Sequence, residues 1–222
     1  MFFRTLVFAA AMAVASASFA QPKEPIGRFV VDLRAASVGL PTAIGWVPAV
    51  PEGTEVPARS LGFELGAHVY LARWGPMTLG VGATYLTGRK TTVPPDVAEG
   101  PTPVPPGTIP EVRTRLTSLA PQVSLNFGQS RGWSYISVGL GRTNVESDAV
   151  LVPPGPTVFQ PLESGWTQTL NYGGGARWFV TDHVGFGFDV RWHSVSDVPA
   201  TSTHPGAPRS TLFTAGAGVV LK

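Results

Sequence analysis

No cysteine occurs in the chain, which removes disulfide scaffolds and thiolate-held metals from consideration. Charge is also scarce: Asp, Glu, Lys and Arg make up 14% of residues, against roughly a quarter in an ordinary soluble domain. That leaves little material for a solvated helical surface. The 16 basic and 14 acidic residues give a formal charge of +2 with no basic stripe, so no nucleic-acid partner is expected. His68, His183, His193 and His204 lack metal-ligand spacing, and neither a metal nor a cofactor is expected.

Long apolar runs are missing except at the start. Met1-Phe2-Phe3-Arg4 is a short basic opening, Leu6 to Ala17 is apolar, and Ser18-Phe19-Ala20 before Gln21 reads as a small-x-small cleavage site. Residues 1–20 are therefore expected to be a cleaved signal peptide, with Ala20 and Gln21 flanking the cut, and residues 21–222 a single domain. Loss of Arg4 brings the basic count within one of the 14 acids. Beyond Gln21 no run approaches the ~20 apolar residues that a membrane-crossing helix needs. Export without cysteine fits a bacterial envelope protein better than a disulfide-stapled secreted one.

What is present is period two. Odd positions from Phe29 to Ser37 carry Phe29, Val31, Leu33 and Ala35, with Asp32 and Arg34 between them. From Leu61 to Leu71 every odd residue is apolar, separated by Gly62, Glu64, Gly66, His68 and Tyr70. The same alternation spans Met77 to Tyr85, Leu119 to Phe127, Tyr135 to Thr143, Trp166 to Val180, Val184 to His193 and Phe213 to Leu221. Such alternation places the two sets of side chains on opposite faces of a strand, so eight strands are expected. Their connections alternate between short (Arg73–Pro76, Gly128–Gly132, Thr181–His183) and long, Pro- and Gly-rich (Pro41–Pro57, Thr91–Pro110, Ser147–Leu162, Ser196–Pro208). All long loops then leave from one end of an up-and-down sheet, with both termini at the other.

The two faces decide which side meets what. One is bulky and nearly free of charge. The other mixes Gly, Ser and Thr with Asp32, Arg34, Glu64, His68, Arg177, Asp189, Arg191 and His193, too polar for an oily core. A lipid-facing apolar band around a polar lumen satisfies both, and closure satisfies every backbone group in the bilayer. The expected fold is all-β: an eight-stranded antiparallel up-and-down transmembrane β-barrel with a polar lumen, short periplasmic turns and four long extracellular loops. Trp46, Tyr70, Trp74, Tyr85, Trp133, Trp166, Trp178 and Trp192 fall mostly near strand ends, as interfacial girdles require. Turn parity places His68 opposite Gly82, Arg34 opposite Glu64 and Arg177 diagonal to Asp189. The three acids and three arginines are expected to form an interior network that plugs a narrow barrel, with solvation in a wet lumen as the alternative.

The segment from Tyr172-Gly-Gly-Gly-Ala-Arg177-Trp-Phe through Thr-Asp-His-Val184-Gly-Phe-Gly-Phe-Asp189-Val-Arg191-Trp-His193 is similar to the late hairpin of the small OmpA-like and OmpX-like outer-membrane barrels. In that family a Gly-rich strand, a tight turn after an apolar residue and a strand ending in Arg-aromatic recur. The resemblance covers the mature chain in topology and Leu170 to Ser194 in wording. It implies a bacterial outer-membrane location, contact with outer-membrane lipid and lipopolysaccharide, assembly by the barrel-assembly machinery, and a structural role or a surface ligand reached through the long loops. The family commonly ends on an aromatic residue read by that machinery, whereas this chain ends Val220-Leu221-Lys222. No peptidoglycan-binding domain is covered, so cell-wall tethering is not implied. Outer-membrane lipid A deacylases resemble the barrel too and carry His-x-Ser near a strand end. Here the residue two after His193 is Val195, and no catalytic residue is assigned. A narrow channel for small solutes is the alternative function, a deacylase-like lipid A-modifying enzyme the further one.

Overall fold

The computed structural model describes residues 24–92, 109–151, 159–202 and 204–222. The expected signal peptide and its Ala20–Gln21 junction lie outside them. Strands run β1 Phe29–Gly39, β2 Arg59–Trp74, β3 Met77–Thr92, β4 Pro110–Gln129, β5 Gly132–Leu151, β6 Leu162–Glu163, β7 Thr167–Phe179, β8 Val184–Val195 and β9 Ser210–Leu221. Each neighbour pairs antiparallel, β4 joins β5, β5 joins β7, and β9 returns to β1. The eight long strands thus close into a barrel, while the two-residue β6 only edges β5 at Glu146 and Ser147. Closure leaves no open edge around the wall, which is what permits a sheet to stand in a medium without hydrogen-bonding partners.

Register follows turn chemistry. Gly75 takes a positive φ of 56° in the Trp74–Met77 turn, and from there His68 lies opposite Gly82, with a one-residue slip between Tyr70 and Ala72. Arg34 lies opposite Glu64 across the first hairpin. Gly82 has a packing reason to be glycine, since a Cβ there would meet the Ala67 carbonyl and the His68 ring. Pro121 has no N–H to give, and the β4–β5 ladder lacks rungs between Leu119 and Gln122.

Bulky side chains point outward. Leu61, Leu65, Val69, Leu71, Leu119, Val123, Ile136, Val138, Leu140, Phe186 and Val219 are all exposed, Leu61 at 83%. The ten steps from Leu61 to Leu71, at ~3.3 Å each and a tilt of ~40°, give an apolar belt about 25 Å tall. That matches a bilayer's hydrocarbon layer.

Three features differ from the sequence expectations. β3, β4 and β5 run on to Thr92, from Pro110 and to Leu151, taking in residues at the margins of two expected long loops. Alternation persists there with a polar outer face (Arg113, Arg115, Glu146) over inward Val112, Leu116 and Val145, a pattern that resembles loop chemistry when read by polarity. Secondly, Trp46, Tyr70 and Trp133 are not girdle residues. Trp133 and Tyr70 face inward and pack edge to face, and Trp133 also stacks on Phe179 at 5.0 Å. Trp46 is folded into the barrel mouth, 2% exposed, its indole Nε1 donating to the Pro208 carbonyl at 2.7 Å. Trp74, Trp166 and Trp192 do lie outside.

The third difference is the layering of the interior. At the long-loop end Ala36, Val38, Leu40, Trp46, Leu86, Leu116, Val145, Val195, Ala207 and Leu212 pack together. At the short-turn end Ile26, Val30, Trp133, Phe179 and Val220 do the same. The polar lumen is the layer between. Inward positions near the strand ends carry aliphatic and aromatic side chains, and two loops are drawn over one mouth. Loop residues 40–58 and 196–209 meet where Gly45 (φ 95°) approaches the Gly206 carbonyl so closely that any Cβ would collide, and Val198 bridges Ala207.

Candidate functional site: the charged interior layer

Seven strands contribute to the middle layer. β1 supplies Asp32 and Arg34, β2 Glu64 and His68, β4 Gln122, β5 Tyr135 and Ser137, β7 Asn171 and Arg177, and β8 Asp189, Arg191 and His193; from β9, Thr214 is buried beside them. All occupy the inward phase of their strands, because a strand with a bulky outer face must turn its alternate residues in. Three carboxylates and three guanidiniums balance among these buried residues.

Asp32 is the hub. Arg177 grips it through two parallel bonds, Nε to Oδ1 at 2.9 Å and Nη2 to Oδ2 at 2.7 Å, and Arg34 Nη2 lies 2.7 Å from Oδ1. This fork-to-fork geometry is the strong form of the ion pair. It spans the lumen, since β7 does not neighbour β1. Arg177 and Asp189 are diagonal in register, yet Arg177 turns to Asp32 instead. Arg34 Nη1 donates to Glu64 and Nη2 to the Tyr135 hydroxyl at 3.1 Å. That hydroxyl donates onward to Asp189 Oδ2 at 2.6 Å.

Arg191 completes the second half. It holds Asp189 through Nε and Nη2 at 3.1 and 3.0 Å, Gln122 Oε1 at 2.8 Å, Asn171 Oδ1 at 3.2 Å and Ser137 Oγ at 2.9 Å. With the Gln122 oxygen taken by Arg191, its amide donates to His68 Nε2 at 2.8 Å. The His68 proton therefore belongs on Nδ1, which faces Asp32 Oδ2 at 4.0 Å. Arg177 also stands over the Tyr135 ring, 4.0 Å from its centre, a cation–π contact strengthened by exclusion of water.

His193 stands apart from this network. It is 5% exposed, at the join of the polar layer and the upper apolar layer beside Val38, Leu86, Leu116, Leu212, Thr143 and Thr214. Neither ring nitrogen has a hydrogen-bond partner among the described residues. Ser194 occupies the opposite phase of β8 and Asp197 is exposed in the following loop, so no nucleophile, base and acid converge here. Among the described residues no group of three or more acids and histidines could hold a metal.

Tyr135, Gln122, Asn171 and Ser137 complete the network and were not singled out by sequence reasoning. The signal was available in their inward parity. Their lack of charge hid them.

No protein-family model matches the sequence, nor does any curated protein. Solved structures of similar chain path include Neisserial surface protein A (15% identity, TM-score 0.48, 87% of this chain and 96% of that one). The attachment invasion locus protein Ail of Yersinia pestis is another (11%, 0.43, 89% and 99%). So is the outer membrane protease OmpT of Escherichia coli (10%, 0.45, 92% and 99%). The fold itself rests on this chain's own ladder and surface. With its sheet closed by β1 and β9, its apolar belt outside and its ions within, the chain is an eight-stranded antiparallel β-barrel with the inside-out polarity of a transmembrane wall.

Proposed function

We propose that the chain serves in the bacterial outer membrane as a sealed, non-catalytic barrel, with a structural role or an interaction role presented on its long loops. The observation that carries this reading is the filled interior: an ion-paired middle layer capped by an apolar layer at each end. A conducting pore needs a continuous wet path, and Val30, Val38, Val112, Val145, Val195 and Val220 are all essentially without exposure. Eight strands give a lumen that side chains just fill. Its partners under this reading are outer-membrane lipid and lipopolysaccharide around the belt, the barrel-assembly machinery during insertion, and a surface ligand at the loops. The absence of catalysis is supported by the setting of His193, walled by aliphatic side chains and turned away from the lipid where a lipid-modifying enzyme would work.

Planar-bilayer recording of the purified barrel tests the seal. No resolved current steps are expected; regular steps would overturn the reading in favour of a narrow solute channel. Incubation with lipopolysaccharide followed by mass spectrometry of lipid A tests the rest. Loss of acyl chains that disappears in His193→Ala would establish the enzyme instead.

A further inference from the structure

At the long-loop rim of the apolar belt, the outer wall carries arginines in an arrangement that folding alone does not favour. Arg89 on β3 is directly opposite Arg115 on β4. Like charges at such positions have Cβ atoms about 5 Å apart and destabilise the pair. On the other side Arg89 faces Leu61 of β2, and Arg59, two residues up the same face of β2, adds a third guanidinium on a third consecutive strand. Arg59 and Arg89 make no ion pair among the described residues, and Arg115 reaches Glu146 at only 3.9 Å. The acids of this region lie toward β5 or serve Arg113, which is bound to Glu111 at 3.1 Å and faces Asp148. Between these groups is an open recess of about 220 Å³, lined by Arg89, Arg113, Thr114, Arg115, Glu146 and Asp148.

The height of the cluster indicates what it meets. Phe63, Tyr85 and Leu119 face outward below it, with Phe63 and Tyr85 rings 6.0 Å apart and Tyr85 opposite Leu119. Four steps lead from Tyr85 to Arg89, about 10 Å in height at a tilt of ~40°, which reaches the level of Leu61 at the upper rim of the belt. From that rim a long arginine side chain extends its guanidinium into the headgroup layer. A ligand complementary to both features is an amphiphile with acyl chains against the belt and a phosphate among the guanidiniums, which bind phosphate through paired N–H groups.

We propose that Arg59, Arg89 and Arg115 form a phosphate-binding site on the outer wall for a phosphorylated outer-leaflet glycolipid of the lipopolysaccharide class. The inference deepens the membrane reading above and rests on it. It assigns the bound lipid to one place on the wall, β2 to β4, and gives the Arg89–Arg115 juxtaposition its counter-ion.

The test uses the detergent-purified barrel and native mass spectrometry, titrating bis-phosphorylated lipid A, its enzymatically dephosphorylated form, and inorganic phosphate as competitor. Expected are discrete adducts of the phosphorylated lipid, weakened roughly tenfold or more in the Arg89→Gln/Arg115→Gln double variant and unchanged in Arg131→Gln, an exposed arginine at the opposite end. Equal binding of the dephosphorylated lipid, or an unaltered double variant, would overturn the site. Full competition by low-millimolar inorganic phosphate would overturn the choice of a lipid ligand. Insertion of each protein into phosphatidylcholine nanodiscs separates the two levels. A barrel that inserts yet shows no lipid preference defeats this inference alone, whereas one that stays in water defeats the membrane reading.

Discussion

Replacing Asp32 with Asn keeps the side chain's size while removing one charge from a compartment whose three carboxylates and three guanidiniums balance. Asp32 accepts both forks of Arg177 and lies 2.7 Å from Arg34. Asn offers one acceptor oxygen and turns an amide donor toward guanidinium nitrogens. Breaking a buried pair by removing one partner costs about 3–5 kcal/mol, because the survivor is left charged and desolvated. Arg34 keeps Glu64, so the cost falls chiefly on Arg177 and the lower end, about 3 kcal/mol, applies. With a urea dependence of about 1–3 kcal/mol per molar, the unfolding midpoint falls by about 1–3 M. Urea titration in detergent micelles, followed by tryptophan emission, reads this directly. The contrast is Asp182→Asn, which breaks the exposed Arg131–Asp182 pair at 3.7 Å and costs at most about 1 kcal/mol. Adding Arg177→Gln to Asp32→Asn removes the stranded charge and should restore part of the loss, a non-additivity that a cycle measures. If Asp32→Asn moved the midpoint no further than Asp182→Asn, the interior ions would be solvated, and the plugged lumen would be refuted.

Tyr135→Phe retains the ring beneath Arg177 but removes the hydroxyl linking Arg34 to Asp189; a loss of about 1–3 kcal/mol is expected in the same titration. Trp46→Ala removes both a large side chain of the upper apolar layer and the bond to Pro208. It should cost about 3–5 kcal/mol and speed limited proteolysis within residues 40–58; an unchanged cleavage rate would mean the loop is held by other contacts. Gly82→Val forces a side chain onto the Ala67 carbonyl and the His68 ring, and is expected to abolish the mobility difference between unheated and boiled samples on a gel. Gly27→Ser, where an added Cβ meets nothing nearer than 3.8 Å, should retain that difference.

Much of this barrel was determined by sequence alone, for a physical reason: a strand wall between two media must alternate, and alternation is visible residue by residue. The pairing of His68 with Gly82 follows from parity and a short turn, since a one-residue slip would turn a strand's ions into lipid; that of Arg34 with Glu64 spans a long loop, so parity specified the face and the closed sheet the register. Parity also specifies which residues face inward, but not which inward residues touch. The partner of Arg177 is a carboxylate across the lumen rather than its diagonal neighbour Asp189, and that choice depends on barrel diameter and stagger, which no local pattern encodes. Only tertiary structure decided that neutral Tyr135 and Gln122 bridge the ions. It likewise decided that Trp46 folds from a loop into the mouth, and that apolar layers close both ends of the polar one. Those are contacts between residues far apart in the chain, brought together only when β9 closes on β1.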